Sequence, residues 1–271
     1  MLASFLITFR EGLEAFLIVG IVLTYLTKLD ARHYHKLIHA GVLLGALVSV
    51  ISAFAFQLLI DQFEQERYQH LLMAGILFFA TAVLTYMVIW MQKQASQQVS
   101  EVQKSLSQLV STGNLLGLVM LAFLAVLREG METVLFFSAL SISDGETSLQ
   151  ASFLGALAGL VTSVMLVGIL FRSAWRIPLK PFFQYTSLLI IIIAAGLLSS
   201  AANMLQAAGV LPGAASTLFN IAHILDDRGV MGTFLRALFG YNASPTTIQF
   251  SLWLVYLSVF IALWKRNYRH A

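Results

Sequence analysis

Apolar residues in this chain run in long blocks rather than in the three-and-four spacing of a surface helix. Seven blocks stand out, at 2–26, 37–60, 70–90, 115–141, 151–171, 182–207 and 247–264. A bilayer core about 30 Å thick is crossed by ~20 apolar helical residues at about 1.5 Å rise each. Each block is therefore expected to be a spanning helix. Residues 92–111 break the pattern. They are polar, with Val99, Val102, Leu106 and Leu109 at helical spacing, and read as an amphipathic connector. Its simplest form is a solvated extension of the third span.

Composition fits this reading. The chain is 59% hydrophobic and 11% charged, against about 25% charged in a soluble domain. The bilayer, not a large water-excluding core, sets the architecture. There is no cysteine, so disulfides, thiolate metal ligands and cysteine nucleophiles are excluded. The pI near 9.2 does not point to nucleic acid, because the basic residues are dispersed. No positively charged leader or small-residue cleavage site opens the sequence, so a cleaved signal peptide is not expected.

The placement of charge gives an orientation. The segments after spans one, three, five and seven hold eleven of the sixteen Lys and Arg residues, and the alternate segments hold three. By the positive-inside rule the N-terminus lies outside and the C-terminus in the cytoplasm. Acids sort the other way, with Asp61, Glu64, Glu66, Asp144, Glu146, Asp226 and Asp227 outside.

Two arginines remain, and both lie inside spans. Arg10-Glu11-Gly12-Leu13-Glu14 in the first span recurs as Arg128-Glu129-Gly130-Met131-Glu132 in the fourth. Likewise Gly41, Gly45 and Ser49 in span two match Gly155, Gly159 and Ser163 in span five. Span one runs inward and span four outward, so the halves are expected to have inverted topology. The expected fold is an all-α membrane protein of seven transmembrane helices, a 3+3 inverted-topology repeat plus one C-terminal helix. One polytopic domain divides into repeat one (1–92), connector (93–113), repeat two (114–208), outer loop (209–246) and seventh helix (247–264).

Charge within a membrane span is costly and usually functional. At 100° per residue, Arg10, Glu11 and Glu14 share one side of a helix, as do Arg128, Glu129 and Glu132. Each arginine offsets one carboxylate, leaving two facing motifs with a charge of about minus two. Carboxylate oxygens without His or Cys suit hard cations: iron, manganese or magnesium rather than copper(I). Glu11, Glu14, Glu129 and Glu132 are thus candidate transport ligands, with Arg10 and Arg128 balancing charge. Mere intrahelical salt bridges would leave the second glutamate of each motif unexplained.

The doubled Arg-Glu-Gly-x-Glu, the seven spans and the ending Leu238-Phe239-Gly240-Tyr241, Pro245, Trp253 and Tyr256 resemble the high-affinity iron permease family, the oxidase-dependent iron transporters. The resemblance implies uptake of ferric or ferrous iron across the cell membrane, with the four motif glutamates as iron ligands. It also implies a separate extracytoplasmic oxidase or iron-binding partner. Iron is then substrate, and no permanently bound cofactor is expected. Three alternatives are a permease for another cation, such as lead or manganese, a membrane-embedded carboxylate di-metal enzyme, and a proton-coupled carrier in which the spare glutamates hold protons. Di-iron carboxylate enzymes usually add Glu-x-x-His ligands, and no such pair occurs in the spans.

Weaker candidates lie outside the spans. Asp61, Glu64 and Glu66 at the outer mouth would concentrate cations, or form a wetted acidic loop. His223, Asp226 and Asp227 have the spacing of one helix face and are a candidate outer capture site; the plainer reading is a solvated face. His33, His35 and His39 are read as interfacial histidines of the positive-inside loop rather than as a metal exit site.

Overall fold

In a computed structural model, the protein is described over residues 2–61, 65–144, 149–172, 179–212, 217–226 and 229–269. Among these residues the regular structure is helical. The helices are α1 (Leu2–Lys28), α2 (His35–Asp61), α3 (Glu66–Ser111), α4 (Leu115–Asp144), α5 (Leu149–Arg172), α6 (Leu179–Ala207), α7 (Val230–Phe239) and α8 (Thr247–Arg269), with a 3-10 turn at Arg32–Tyr34. Stretches in five of them are long and apolar enough to cross a membrane: Arg32–Leu58, Glu66–Trp90, Ser152–Phe171, Gln184–Ala207 and Thr247–Arg266. Helices α1 and α4 are as long, at 27 and 30 residues, but each carries an arginine and two glutamates near its middle.

Local chemistry sets the helix ends. The Asn114 side chain accepts from Gly117 N at 2.9 Å and starts α4, as an N-cap residue does. Thr246 and Gln249 form a reciprocal cap on α8. Gln249 N donates to Thr246 Oγ1 at 3.3 Å, and Thr246 N donates to Gln249 Oε1 at 3.1 Å. Helix α7 ends at Gly240, whose φ of 64° favours glycine. Gly240 also packs directly on Gly196 of α6, where any side chain would collide with backbone.

Packing crosses the chain. Helix α1 packs mainly on α5, α2 on α4, and α3 on α6, with α8 against α6. Small residues allow the first two pairs to close. A methyl group at Gly159 would meet Phe5 O at 2.5 Å and Phe9 N at 2.8 Å. One at Gly45 would meet Phe123 O at 2.9 Å and Leu127 N at 3.1 Å. Backbones therefore touch where side chains are missing.

Two apolar clusters hold the bundle. One gathers Ala3 and Ile7 of α1, Phe136 and Leu140 of α4, and residues of α3, α6 and α8. The other gathers Val22 and Leu26 of α1, Ile38 of α2, Leu118 and Ala122 of α4, and Leu106. Positions 10–14 and 128–132 fall between the clusters on both helices, so the charged motifs occupy the gap.

Two features differ from the pattern-based expectation. Segment 93–113 does continue the third span, as one helix of 46 residues. Its apolar side is not solvated, however: Leu106 is fully buried, with Val102 and Leu109 packed nearby. Segment 209–246 also contains α7, whose ten residues are too few to register as an apolar block. It packs on α6, α1 and α4.

Candidate metal-transport site

The site is built by α1 and α4, each contributing one Arg-Glu-Gly-x-Glu segment. One helical turn separates the two glutamates of each segment, so both point the same way. Carboxylate oxygens of Glu11, Glu14 and Glu129 all lie within 4.8 Å of one another. At that spacing one cation can touch all three. The fourth glutamate, Glu132, is held by Arg128, whose Nε lies 3.1 Å from Glu132 Oε1.

The motif glycines let neighbouring helices reach this level. A methyl group at Gly12 would meet Ser163 Oγ of α5 at 2.6 Å. One at Gly130 would collide with the Ser49 hydroxyl of α2. Both serines are buried. Their hydroxyls donate back along their own helices, Ser49 to Gly45 O at 2.8 Å and Ser163 to Leu160 O at 2.7 Å.

The two arginines sit differently. Arg10 is 1% exposed and spends both ends of its fork on carboxylates, Nη1 to Glu11 Oε1 at 2.7 Å and Nη2 to Glu14 Oε1 at 2.9 Å. Nη1 also lies 3.4 Å from Met87 Sδ of α3. Arg128 is 46% exposed, and its Nε is 3.9 Å from Glu129 Oε1. Its guanidinium carbon stands 5.1 Å from the centre of the Trp90 ring of α3, a cation–π arrangement.

The carboxylates are under-satisfied. Glu11 Oε2, Glu129 Oε2 and Glu132 Oε2 are buried and accept no hydrogen bond. An ionised oxygen buried without a donor is expensive. Four carboxyl groups face two guanidiniums, so the set has room for added positive charge. A cation lodged among the oxygens supplies it, and so do protons.

Comparison with known proteins gives the family. Residues 1–266 match the model of the iron permease FTR1 family. The chain belongs to that family. It is therefore a multi-pass membrane permease and not an enzyme. A relative from Escherichia coli O6:H1 named "Ferrous iron permease EfeU" is 33% identical over 259 residues, covering 95% of this chain and 92% of the relative. A Yersinia pestis relative of the same name is 32% identical over 259 residues, covering 95% and 90%. A Shigella sonnei relative, also of that name, is 32% identical, covering 95% and 92%. No solved structure matches the chain.

The other candidate positions stand apart from the cluster. Glu66 is exposed in the first turn of α3, where an acid suits the helix N-terminus. Asp61 ends α2. His223 and Asp226 are exposed in a turn, not on a helix face. Glu64 and Asp227 lie outside the described residues. The His33 ring lies against that of Tyr34, centroids 3.9 Å apart and planes tilted by 50°, and His35 Nε2 lies 3.3 Å from Thr27 Oγ1. Met87 and Trp90 carry no signal in the sequence pattern. The signal for the serines was there, since each ends a Gly-x-x-x-Gly-x-x-x-Ser stripe.

Proposed function

We propose that this permease carries ferrous iron into the cytoplasm, and that Glu11, Glu14, Glu129 and Glu132 bind the ion on its way. The observation behind the proposal is the convergence of three carboxylates from two helices within 4.8 Å, at a depth where uncompensated charge is costly. The choice of ferrous iron follows the names of the relatives. The seven-span, N-outside arrangement follows from the charge sorting. In it α1 and α4 are spans whose central charges are shielded by their neighbours.

The inverted repeat is part of the same proposal. Its support is the matching of contacts between halves: Gly12 with Ser163 and Gly130 with Ser49, and Gly159 with Phe5 and Phe9 as Gly45 with Phe123 and Leu127. Each motif helix is thus cradled by the small-residue helix of the other half. An ion between the motifs sits at the interface of the repeats, where inverted-repeat carriers place their substrate.

In transport, arriving iron exchanges water for carboxylate oxygens, and each buried acid gains a counter-charge. Arg10 and Arg128 keep the vacant set from exceeding about two net negative charges, which prevents mutual repulsion from splaying the helices. Uptake by the purified protein in proteoliposomes tests the assignment. Ferrous iron should accumulate faster than ferric iron, manganese or lead, with the pH gradient varied independently. Faster uptake of manganese or lead would reassign the substrate.

A further inference from the structure

Where α4 and α6 end and α8 begins, the bundle carries two hollows that the carboxylate site does not use. One is a polar cavity of about 120 Å³, lined by Ser143, Ser199, Ser200, Asn203, Arg236 and Asn242 among others. The other is an apolar groove of about 240 Å³, lined chiefly by Phe219, Ile221, Leu235, Phe239, Phe250 and Trp253. Both have Ser199, Gly240, Tyr241 and Asn242 in their walls, so the two adjoin.

The polar groups of the cavity are only partly used. Ser143 and Ser200 bond to each other at 2.7 Å, and the Asn242 amide donates to Gln249 Oε1 at 3.1 Å. Ser199 is 8% exposed, and neither its hydroxyl nor the Asn203 side chain has a hydrogen-bond partner among the described residues. Arg236 is half-buried in the last turn of α7, and no carboxylate among the described residues pairs with it. A guanidinium in that setting attracts an anion, and its planar fork fits the oxygens of phosphate. The groove is different. Its amphipathic rings spend their polar tips on backbone, Trp253 Nε1 donating to Phe239 O at 2.8 Å and the Tyr241 hydroxyl to Leu225 O at 2.9 Å. The surface left over is hydrocarbon, which favours an apolar occupant over water.

An anion-binding cavity beside a hydrocarbon groove matches an amphiphile better than a soluble anion, which would leave the groove wet. Tyrosine and tryptophan at the end of a spanning bundle mark the membrane–water interface, the level of lipid headgroups. We propose that cavity and groove together bind one anionic phospholipid. Its phosphate lies on Arg236, with Ser199 and Asn203 as further donors, and an acyl chain runs along Phe219, Phe250 and Trp253. The inference is independent of the carboxylate site and of what the permease carries.

Native mass spectrometry of the full chain tests this, from micelles holding equal amounts of dioleoyl phosphatidylglycerol and dioleoyl phosphatidylcholine. The parent protein should retain a phospholipid and favour phosphatidylglycerol by about fivefold, the effect of one basic side chain on an anionic lipid. Arg236→Gln should lose the preference. Arg266→Gln, at an exposed arginine near the other end of α8, should keep it. Equal retention of the two lipids by the parent protein, or equal loss of preference in the two variants, would overturn the site. Glycerol 3-phosphate, which carries the phosphate without the chains, should not displace the lipid at equal concentration. Displacement would show a soluble-anion site and overturn the groove's part in it. The parent protein's selectivity and this competition decide the matter even if Arg236→Gln fails to insert.

Discussion

At Arg10, one buried guanidinium closes against two carboxylates. Removing it strands Glu11 and Glu14, and breaking a buried ion pair costs about 3–5 kcal/mol. Arg10→Ala is therefore expected to lower membrane abundance sharply. Arg10→Lys keeps the charge but not the fork. It should remain in the membrane with uptake reduced by about tenfold, because an ammonium cannot hold both acids at once. Arg128, half-exposed and with its Nε 3.1 Å from Glu132 Oε1, should tolerate lysine better. Immunoblotting and uptake on the same membranes check the ordering, and equal loss in the two lysine variants would contradict it. The acids and arginines of this site were legible from the sequence because a doubled charged motif in an apolar block has no cheap structural explanation. Met87 and Trp90 were not. Methionine and tryptophan are ordinary in spans, and their partners lie 77 and 38 positions away, a separation that periodicity does not reach.

Between elements, the cross-packing of the halves makes a sharper prediction than the glycine stripes alone. Gly12→Ala sets a methyl group 2.6 Å from Ser163 Oγ, an overpacking worth about 1–3 kcal/mol. Ser163→Ala removes the offending atom, so the double variant should recover stability and uptake lost in the single one. Gly159→Ala instead meets the backbone at Phe5 and Phe9, and no side-chain change on α1 should rescue it. Thermal denaturation in detergent measures both. Rescue of Gly159→Ala by a change at Phe5 or Phe9, or none for Gly12→Ala, would show that the helices meet otherwise. The seven long helices were legible from block length alone, with ends displaced by a few residues except in α3, which runs on past its block to Ser111. Helix α7 was hidden because a ten-residue amphipathic helix leaves no block. The packed face around Leu106 was hidden because the pattern predicts a helix with an apolar side but not what covers it.

For the whole molecule, the proposed N-outside orientation gives transport through the carboxylate cluster its direction. Single cysteines at Ser111 and Ala222, both exposed, should react with an impermeant thiol reagent from opposite sides, Ala222→Cys from outside. Reaction of both from one side would invalidate the orientation drawn from the loop charges. Asp226→Asn, in an exposed turn separate from the cluster, should leave half-saturation for iron unchanged. The account depends most on the four glutamates acting together on the transported ion. Its most direct test is ferrous-iron uptake by Glu11→Gln and Glu129→Gln at membrane abundance matched to the parent protein. Glutamine keeps the size of each side chain and removes one ligand charge, and a neutral amide is cheaper in the membrane than an ionised acid, so both variants should insert normally and fail to transport. Uptake at the parent rate in Glu11→Gln, at equal abundance, would contradict the site.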